Sequence, residues 1–371
     1  MKNCNRSGLL IRSLFFIASF SLGALLVMGQ QGPSEESSGP RQETDGTVIS
    51  PGTPSPPQQI ESLETPEKLN PDETFSLSVT TELVNFDVVV TDKRGNFIPS
   101  LTQSNFRVFE DGVEQRVTNF TRSKAAMTVC LLIEYRSTPL WPLLYEALQN
   151  SYMFVNYLQP QDWAAIVAYD LNPQILTDFT QDRREVLNAL GKLRFPGFRE
   201  ANLWDSLNFV MENMSDIKGK KAIILITTGI DTLSKLNYPT FLKIVRGSDI
   251  IIYPISIGGW LRARGYETID NLQADNALNT FAKYTGGLAF FPRFQGQLPG
   301  VYEQISQHMR NQYSLGFVST NSQRDGKFRK VKINVVDTEG KPLVLRNRKG
   351  KKKVKLKVIS RPGYYGPKAL D

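Results

Sequence analysis

The sequence predicts an α/β fold, in which a doubly wound, mostly parallel sheet is flanked by two β segments that form a small β-sandwich-like domain. Three observations support this prediction: unbroken apolar runs in the middle of the chain, helical periodicity between those runs, and alternation of apolar and polar residues on both sides. The chain has 371 residues, of which 40% are hydrophobic and 22% charged. That length and composition predict more than one ordinary domain with a buried core.

Residues 1–29 resemble an export signal. A basic start (Lys2, Arg6 and Arg12) precedes an apolar run at residues 14–28, and Val27 and Gly29 fit the small residues that precede a cleavage point. The run is short for a membrane span, so we expect a cleaved signal peptide and a periplasmic or secreted protein. An uncleaved membrane anchor is the alternative.

Residues 30–73 are rich in Pro, Ser, Glu, Gln and Thr and contain few apolar residues. Such a segment buries too little apolar surface to compensate for the entropy lost on ordering. We therefore expect a disordered linker that separates the signal from the folded region.

The N-terminal β segment is predicted at residues 74–124. Val84, Phe86, Val88 and Val90 alternate with other residues, as in a half-buried strand. Asp111-Gly112 stands between two alternating runs and predicts a hairpin, because both turn residues need a positive φ angle.

Residues 125–311 are predicted to form the α/β domain. Apolar runs at residues 129–133, 164–168, 222–226 and 250–255 indicate strands that are buried on both faces. Helices are predicted between them, at residues 140–158, 184–193, 203–214, 238–245 and 276–284. Strands that alternate with helices are typical of an open parallel sheet.

The C-terminal β segment is predicted at residues 312–371. Alternation returns at residues 330–335 and 353–358, and we expect this segment to pair with the N-terminal one. The formal net charge is +8, and a basic cluster precedes the last alternating run. The lysines of that run fall on one face of a strand, which favours a solvated face over a nucleic-acid site.

Two residue types restrict the possible chemistry. The chain has a single histidine, His308, which lies far in sequence from any nucleophile-like motif and is predicted to lie at the surface. Cys130 lies within an apolar run and is predicted to be a small buried hydrophobe. No catalytic motif is visible, and we expect a protein that is not an enzyme.

Seven short motifs lie at residues 106–112, 131–133, 158–162, 178–180, 284–287, 312–317 and 361–365. Their order resembles that of the von Willebrand factor type A family, in particular an exported acidobacterial branch. The resemblance spans about residues 83–365. Each is weak alone, and the shared order makes the resemblance specific. It implies the von Willebrand factor A, Rossmann-like arrangement for the central domain.

The resemblance also implies a Mg²⁺ site, made of an Asp-x-Ser-x-Ser motif, a Thr from a later loop and the Asp of a turn. Oxygen ligands on three loops suit Mg²⁺. This sequence departs from the pattern at nearly every position. Glu134, Arg136 and Thr138 replace the Asp and the two Ser residues, Thr228 replaces the Asp of the turn, and Ala201 or, in a shifted alignment, Asn202 replaces the Thr.

Arg136 is the decisive departure, because a guanidinium keeps its positive charge and has no lone pair to donate. Three interpretations follow: surface loops without a ligand, a site in which Arg136 replaces the cation and attracts an acidic partner, or metal binding retained through Glu134. We expect no metal and no cofactor. The expected partner-binding residues are Glu134, Arg136, Thr138, Asn202, Asp205, Thr228 and Asp231.

These observations predict an exported binding or adhesion module that contacts a protein, a matrix or an envelope component without a metal ion. A structural scaffold subunit of a cell-envelope assembly is the alternative. A hydrolase that uses Asp205 and Asp231 is a third hypothesis, which a deep pocket joining the two carboxylates would favour. Nucleic acid is not an expected partner, and a membrane is expected only through an uncleaved signal.

Overall fold

A computed structural model describes residues 83–93, 95–123, 125–137, 141–263, 265, 269–346 and 353–369. The predicted export signal (1–29) and linker (30–73) lie outside the described residues. Within the described ranges, no helix has the length and apolar character needed to cross a membrane.

The chain enters the fold through antiparallel strands. These are β1 (Leu83–Asp92), β2 (Phe106–Glu110), β3 (Val113–Gln115) and β4 (Val117–Ser123). The β2–β3 hairpin turns at Asp111 and Gly112, whose φ angles are 46° and 92°. Both angles are positive, as the Asp-Gly pair predicts.

The central sheet follows. Its strands are β5 (Met127–Glu134), β6 (Trp163–Tyr169), β7 (Pro173–Thr180), β8 (Lys220–Thr227) and β9 (Ile251–Ser256). The strand order is β7-β6-β5-β8-β9, with β6, β5, β8 and β9 mutually parallel and β7 antiparallel to β6. The parallel strands are the apolar runs of the sequence.

Helices connect these strands and cover both faces of the sheet. They are α1 (Trp141–Val155), α2 (Arg183–Leu190), α3 (Leu203–Ser215), α4 (Tyr238–Gly247), α5 (Gly258–Ala263), α6 (Ile269–Thr285) and α7 (Leu298–Arg310). Alternate side chains of β5 enter opposite cores: Val129 and Leu131 pack with α1, α2 and α7, whereas Cys130 and Leu132 pack with α3, α4 and α6. This two-sided burial explains the unbroken apolar runs and confirms the buried position of Cys130.

The strands after α7 return to those before β5. They are β10 (Gln312–Val318), β11 (Phe328–Val335), β12 (Leu345–Arg346), β13 (Lys353–Val354), β14 (Leu356–Ile359) and β15 (Gly363–Tyr365). One sheet has the order β14-β1-β10-β4 and a second has the order β15-β11-β2-β3. Phe86 and Val88 of β1 share a buried core with Val108 of β2 and Ile333 of β11. The flanking segments therefore form the predicted sandwich, and the α/β fold class is confirmed.

Some elements differ from the sequence predictions. The antiparallel strand β7 was not predicted, because it lies at the edge of the sheet and all its residues are exposed or only half-buried. Helix α6 begins at Ile269 rather than at residue 276, since its first turns bury the polar residues Asn271 and Asp275, which hide the helical period. The buried carboxylate of Asp275 accepts a hydrogen bond from Ser256 and pairs with Arg262, and these contacts compensate for its loss of hydration.

The end of α6 requires glycine at two consecutive positions. Gly286 has a φ angle of +76°, and a Cβ atom on Gly287 would lie 2.0 Å from the carbonyl oxygen of Ile252 in β9. The backbone N–H of Gly287 donates to the carbonyl of Ala282 at 2.8 Å. The helix therefore meets the sheet backbone directly at this point.

We expect Gly287→Ala to lower the free energy of unfolding by about 2 kcal/mol, because backbone atoms must move to admit the methyl group. Gly300→Ala is the matched control, since Gly300 lies in α7 and its Cβ would meet nothing within 4 Å. That change should stabilise the helix by about 0.5–1 kcal/mol. Urea unfolding of both variants tests the contrast, and equal effects would contradict it.

His308 is buried, and the prediction of a surface histidine is wrong. It lies on the inner face of α7, where its Nδ1 is 2.9 Å from the hydroxyl of Tyr253. Burial, and then the charge of Lys357, lower the pKa of His308 from 6.5 to about 3. The imidazole is therefore neutral in the folded protein at pH values where the unfolded chain binds a proton.

Acid should destabilise the protein through His308. Because its folded-state pKa lies below its unfolded value, the unfolding free energy should fall by about 1.4 kcal/mol for each pH unit below about 6. His308→Gln should remove this part of the pH dependence in urea unfolding between pH 7 and pH 4.5. The chain has one histidine, so its single imidazole NMR signal should not titrate over that range. A signal that titrates near pH 6.5 would contradict the assignment.

Candidate functional site

The candidate site lies where the parallel strands end. The loop after β5 is hydrogen-bonded to the α2–α3 loop, through the N–H of Ser137 to the carbonyl of Phe198 (2.7 Å) and the N–H of Gly197 to the carbonyl of Tyr135 (2.8 Å). The α2–α3 loop is in turn bonded to the loop after β8, through the N–H of Thr232 to the carbonyl of Ala201 (2.9 Å). These hydrogen bonds hold the three loops together at the carboxyl edge of the sheet, which is where ligands bind in open α/β sheets.

Glu134, the last residue of β5, is the centre of a buried cluster. Its Oε1 lies 2.6 Å from Nε of Arg136. The backbone N–H of Thr228 donates to Glu134 Oε2 at 2.7 Å, and the Thr228 hydroxyl lies 3.0 Å from both carboxylate oxygens. Nη2 of Arg136 donates to Thr228 Oγ1 at 3.1 Å. Glu134 is therefore the carboxylate that pairs with Arg136.

The contact between Arg136 and Glu134 is an ion pair rather than an aligned hydrogen bond. Nε of Arg136 is close to the carboxylate, yet its N–H is not directed at an acceptor among the described residues. Both side chains are almost fully buried, with 8% and 0% of their surfaces exposed. The positive charge of Arg136 is therefore neutralised inside the protein and does not reach the surface.

Two further residues complete the cluster and were not predicted. Thr227 donates to Glu134 Oε2 at 2.7 Å, and the Tyr169 hydroxyl donates to the same oxygen at 3.3 Å. Burial, and then the charge of Glu134, raise the pKa of Tyr169 well above its ordinary value. Tyr169 lies opposite Glu134 in the pairing of β5 with β6, and Thr227 is the last residue of β8. Both residues stand at the ends of apolar runs, and this position is the sequence feature that could have identified them.

These residues do not fit the Mg²⁺ site that the resemblance implies. The oxygens of Glu134 are occupied by hydroxyl and N–H donors, and a cation beside them would meet the guanidinium of Arg136. Among the described residues, no three His, Cys, Asp or Glu side chains are grouped so that they could hold a metal ion. Thr138, another candidate ligand, lies outside the described residues.

The remaining predicted residues hold the start of α3. Asp205 accepts hydrogen bonds from the N–H groups of Lys235 (2.8 Å) and Leu236 (3.0 Å). Asp231 accepts one from the hydroxyl of Ser234, and its Oδ1 lies 3.3 Å from the backbone nitrogen of Trp204. Both carboxylates thus fasten the loop after β8 to α3.

Asn202 and Ala201 precede α3. The side-chain amide of Asn202 donates to the carbonyl of Leu171 at 2.8 Å, and Ala201 is fully buried. The structure therefore gathers Glu134, Arg136 and Thr228 into one cluster, and Asn202, Asp205 and Asp231 around the start of α3.

Asp170 is a second buried carboxylate that sequence reasoning missed. Its Oδ2 accepts the backbone N–H of Phe198 at 3.0 Å, and its Oδ1 accepts that of Asn172 at 3.3 Å. Burial, and then the charge and hydrogen bond of Asp170, raise the pKa of Tyr135 to about 12. Asp170 follows β6 and fixes the α2–α3 loop against Tyr135.

Large apolar side chains project from this edge. The exposed fractions are 83% for Phe195, 64% for Phe198 and 59% for Leu233. Phe195 and Phe198 belong to the α2–α3 loop, and Leu233 belongs to the loop after β8. We call these three residues the apolar rim. Phe198 accepts the N–H of Ser137, and Thr232, the residue before Leu233, donates to Ala201, so hydrogen bonds between the loops hold the chain at these two positions.

No protein-family model and no curated protein matches this chain. Solved structures do show similarity. The vWF domain of the type V pili tip protein Mfa5 from Porphyromonas gingivalis is 13% identical, with 50% of this chain and 95% of that chain covered and a TM-score of 0.40. An aerotolerance-related membrane protein from Bacteroides fragilis is 15% identical, with 50% and 98% covered and a TM-score of 0.39.

A third similar structure is the PilB minor pilin from Streptococcus sanguinis. It is 10% identical, with 51% of this chain and 62% of that chain covered and a TM-score of 0.40. The fold class of this chain rests on its own strand order and on the helices that cover both faces of its sheet.

Proposed function

We propose that this chain is an exported, non-enzymatic binding module of the von Willebrand factor A type, which holds a protein or matrix component at the carboxyl edge of its α/β sheet without a metal ion. The apolar rim carries this proposal. Exposed aromatic and aliphatic side chains on a rigid support are typical of protein-binding surfaces, because their burial by a partner supplies binding energy.

The buried cluster supports the metal-independent part of the proposal. In a metal-dependent site, an acidic partner would complete the coordination of the ion. Here the Glu134–Arg136 ion pair occupies the centre of the edge, and the hydroxyl of Thr228 is hydrogen-bonded to both side chains. Arg136 therefore contributes by holding the loops in place, and the contact with the partner falls to the apolar rim. Export is inferred from the sequence of residues 1–29.

The hydrolase hypothesis receives less support. A cleft on this side of the molecule is lined by Asp231 but not by Asp205, whose two oxygens accept backbone hydrogen bonds. The two carboxylates are thus engaged separately in fastening loops.

Site-specific photocrosslinking in the full chain tests the proposed function. With p-benzoylphenylalanine at Leu233, we expect a discrete adduct with an envelope or matrix protein, and Phe195→Ser with Phe198→Ser should abolish it. Trp163 is the matched control position, because it is an exposed aromatic residue (44%) at the amino end of the neighbouring strand β6. Adducts of equal yield from both positions, or an adduct that survives the double substitution, would contradict the proposal and favour a scaffold role.

Mg²⁺ should not bind at the carboxyl edge. A guanidinium about 4 Å from a divalent ion is repelled by several kcal/mol even at an effective dielectric constant of 20. Millimolar Mg²⁺ should leave the melting temperature unchanged, and a chelator should leave the Leu233 adduct intact. Stoichiometric Mg²⁺ binding in calorimetry that is lost in Glu134→Gln would contradict this prediction.

A further inference from the structure

We infer that an aromatic-walled cleft beside the apolar rim receives a lysine or arginine side chain of the partner. This inference rests on the proposed function, because it assigns chemistry to the partner at the same edge. The cleft has a volume of about 650 Å³ and lies between the loop after β8 and the first half of α6. Asp231 and Asp270 contribute to its lining, as do the rings of Trp204 and Tyr238.

The two carboxylates of the cleft have free capacity. Asp231 uses Oδ1 for the contacts with Ser234 and Trp204, and no described residue donates to its Oδ2. Asp270 is exposed in the first turn of α6, and no described side chain pairs with it. An incoming ammonium or guanidinium group would therefore meet carboxylate oxygens that accept no hydrogen bond from the described residues.

The aromatic wall of the cleft is also suited to binding a lysine or arginine side chain. Trp204 packs edge-on against Tyr238 at 5.9 Å between ring centroids, and it also stacks on Phe241 and meets Phe281 edge-on. The Trp204–Tyr238 part of this aromatic cluster faces the cleft. An aromatic wall accommodates the alkyl stem of a lysine or arginine and attracts its cationic end.

Charge complementarity selects a cation over an anion. The described residues that line the cleft include two aspartates and no lysine, arginine or histidine. The whole chain, in contrast, has a formal net charge of +8. The cleft is therefore a local acidic region on a basic protein. Its two aspartates attract a cationic side chain, although the net charge of the chain repels cations.

Binding of a tetra-lysine peptide to the full chain tests this inference. Fluorescence anisotropy of the fluorescein-labelled peptide should show saturable binding that weakens with added salt, and a tetra-glutamate peptide should not bind. Asp270→Asn should weaken the binding about fivefold. Glu185→Gln is the matched control, because Glu185 is also exposed in the first turn of a helix, α2, and should leave binding unchanged.

The outcomes separate this inference from the proposed function. If tetra-lysine does not bind, or binds equally to Asp270→Asn, the cleft is not a cation site, and a Leu233 adduct would still support the binding module. If Asp270→Asn weakens tetra-lysine binding and Phe195→Ser with Phe198→Ser does not, the cleft recognises the cation independently of the rim. Equal weakening by Glu185→Gln and Asp270→Asn would indicate unspecific charge attraction and overturn the inference.

Discussion

Glu134→Gln should lower the free energy of unfolding by about 3–5 kcal/mol, because the buried guanidinium of Arg136 would lose its counter-charge. Glutamine can still accept the backbone N–H of Thr228, so the loss reports on the missing negative charge and not on an empty space. Urea unfolding at pH 7 measures the change. Such a loss is a large part of the total stability of a domain, which is about 5–15 kcal/mol.

Two comparisons isolate the buried ion pair. Glu114→Gln is the same chemical change in the exposed pair Arg107–Glu114, whose charged atoms are 3.3 Å apart, and it should change stability by less than about 1 kcal/mol. Glu134→Gln combined with Arg136→Met removes both charges and should be less destabilising than Glu134→Gln alone. If the effects of the two substitutions simply add, Arg136 does not depend on Glu134, and the ion pair does not hold the edge together.

The sequence predicted the fold well wherever burial produces a simple period. The run at residues 129–133 is apolar at every position because successive side chains of β5 enter cores on opposite faces. The alternation around Phe86 and Val88 was equally informative, because one face of β1 packs into the sandwich. Strand β7 and the first turns of α6 were missed for the opposite reason, since exposure and buried polar groups remove the apolar period.

The site was predicted in part. The departure of Arg136 from the family pattern identified Arg136 as a site residue, and in the structure its guanidinium forms an ion pair with Glu134. Tyr169 and Asp170 were missed because their roles depend on tertiary contacts across strands and loops, which leave no local pattern in the sequence. The apolar rim was missed for a related reason: an exposed Phe and a buried Phe are identical in the sequence, and only the fold separates Phe198 from Phe241.

A second buried ion pair joins the two flanking segments within one sheet of the sandwich, between the neighbouring strands β2 and β11. Nη1 of Arg329 in β11 lies 3.4 Å from Oε1 of Glu110 in β2, and both residues are almost fully buried. The hydroxyl of Tyr364 donates to Glu110 Oε2 at 2.8 Å, and that of Ser319 donates to Oε1 at 2.8 Å. Arg329 also donates to the carbonyl of Asn321 at 2.9 Å. One guanidinium thus connects β2 with the loop after β10.

Arg329→Met should therefore lower the free energy of unfolding by about 3–5 kcal/mol, since Glu110 would remain buried as an anion with two hydroxyl donors and no cation. Lys327→Met is the matched control, because Lys327 is largely exposed in its 3.3 Å pair with Asp325, and its loss should cost less than about 1 kcal/mol. Glu110→Gln added to Arg329→Met should recover part of the stability in urea unfolding. If Arg329→Met and Lys327→Met proved equally mild, the sandwich would be held by its apolar core alone, and the pairing of the two flanking segments would not depend on this charge.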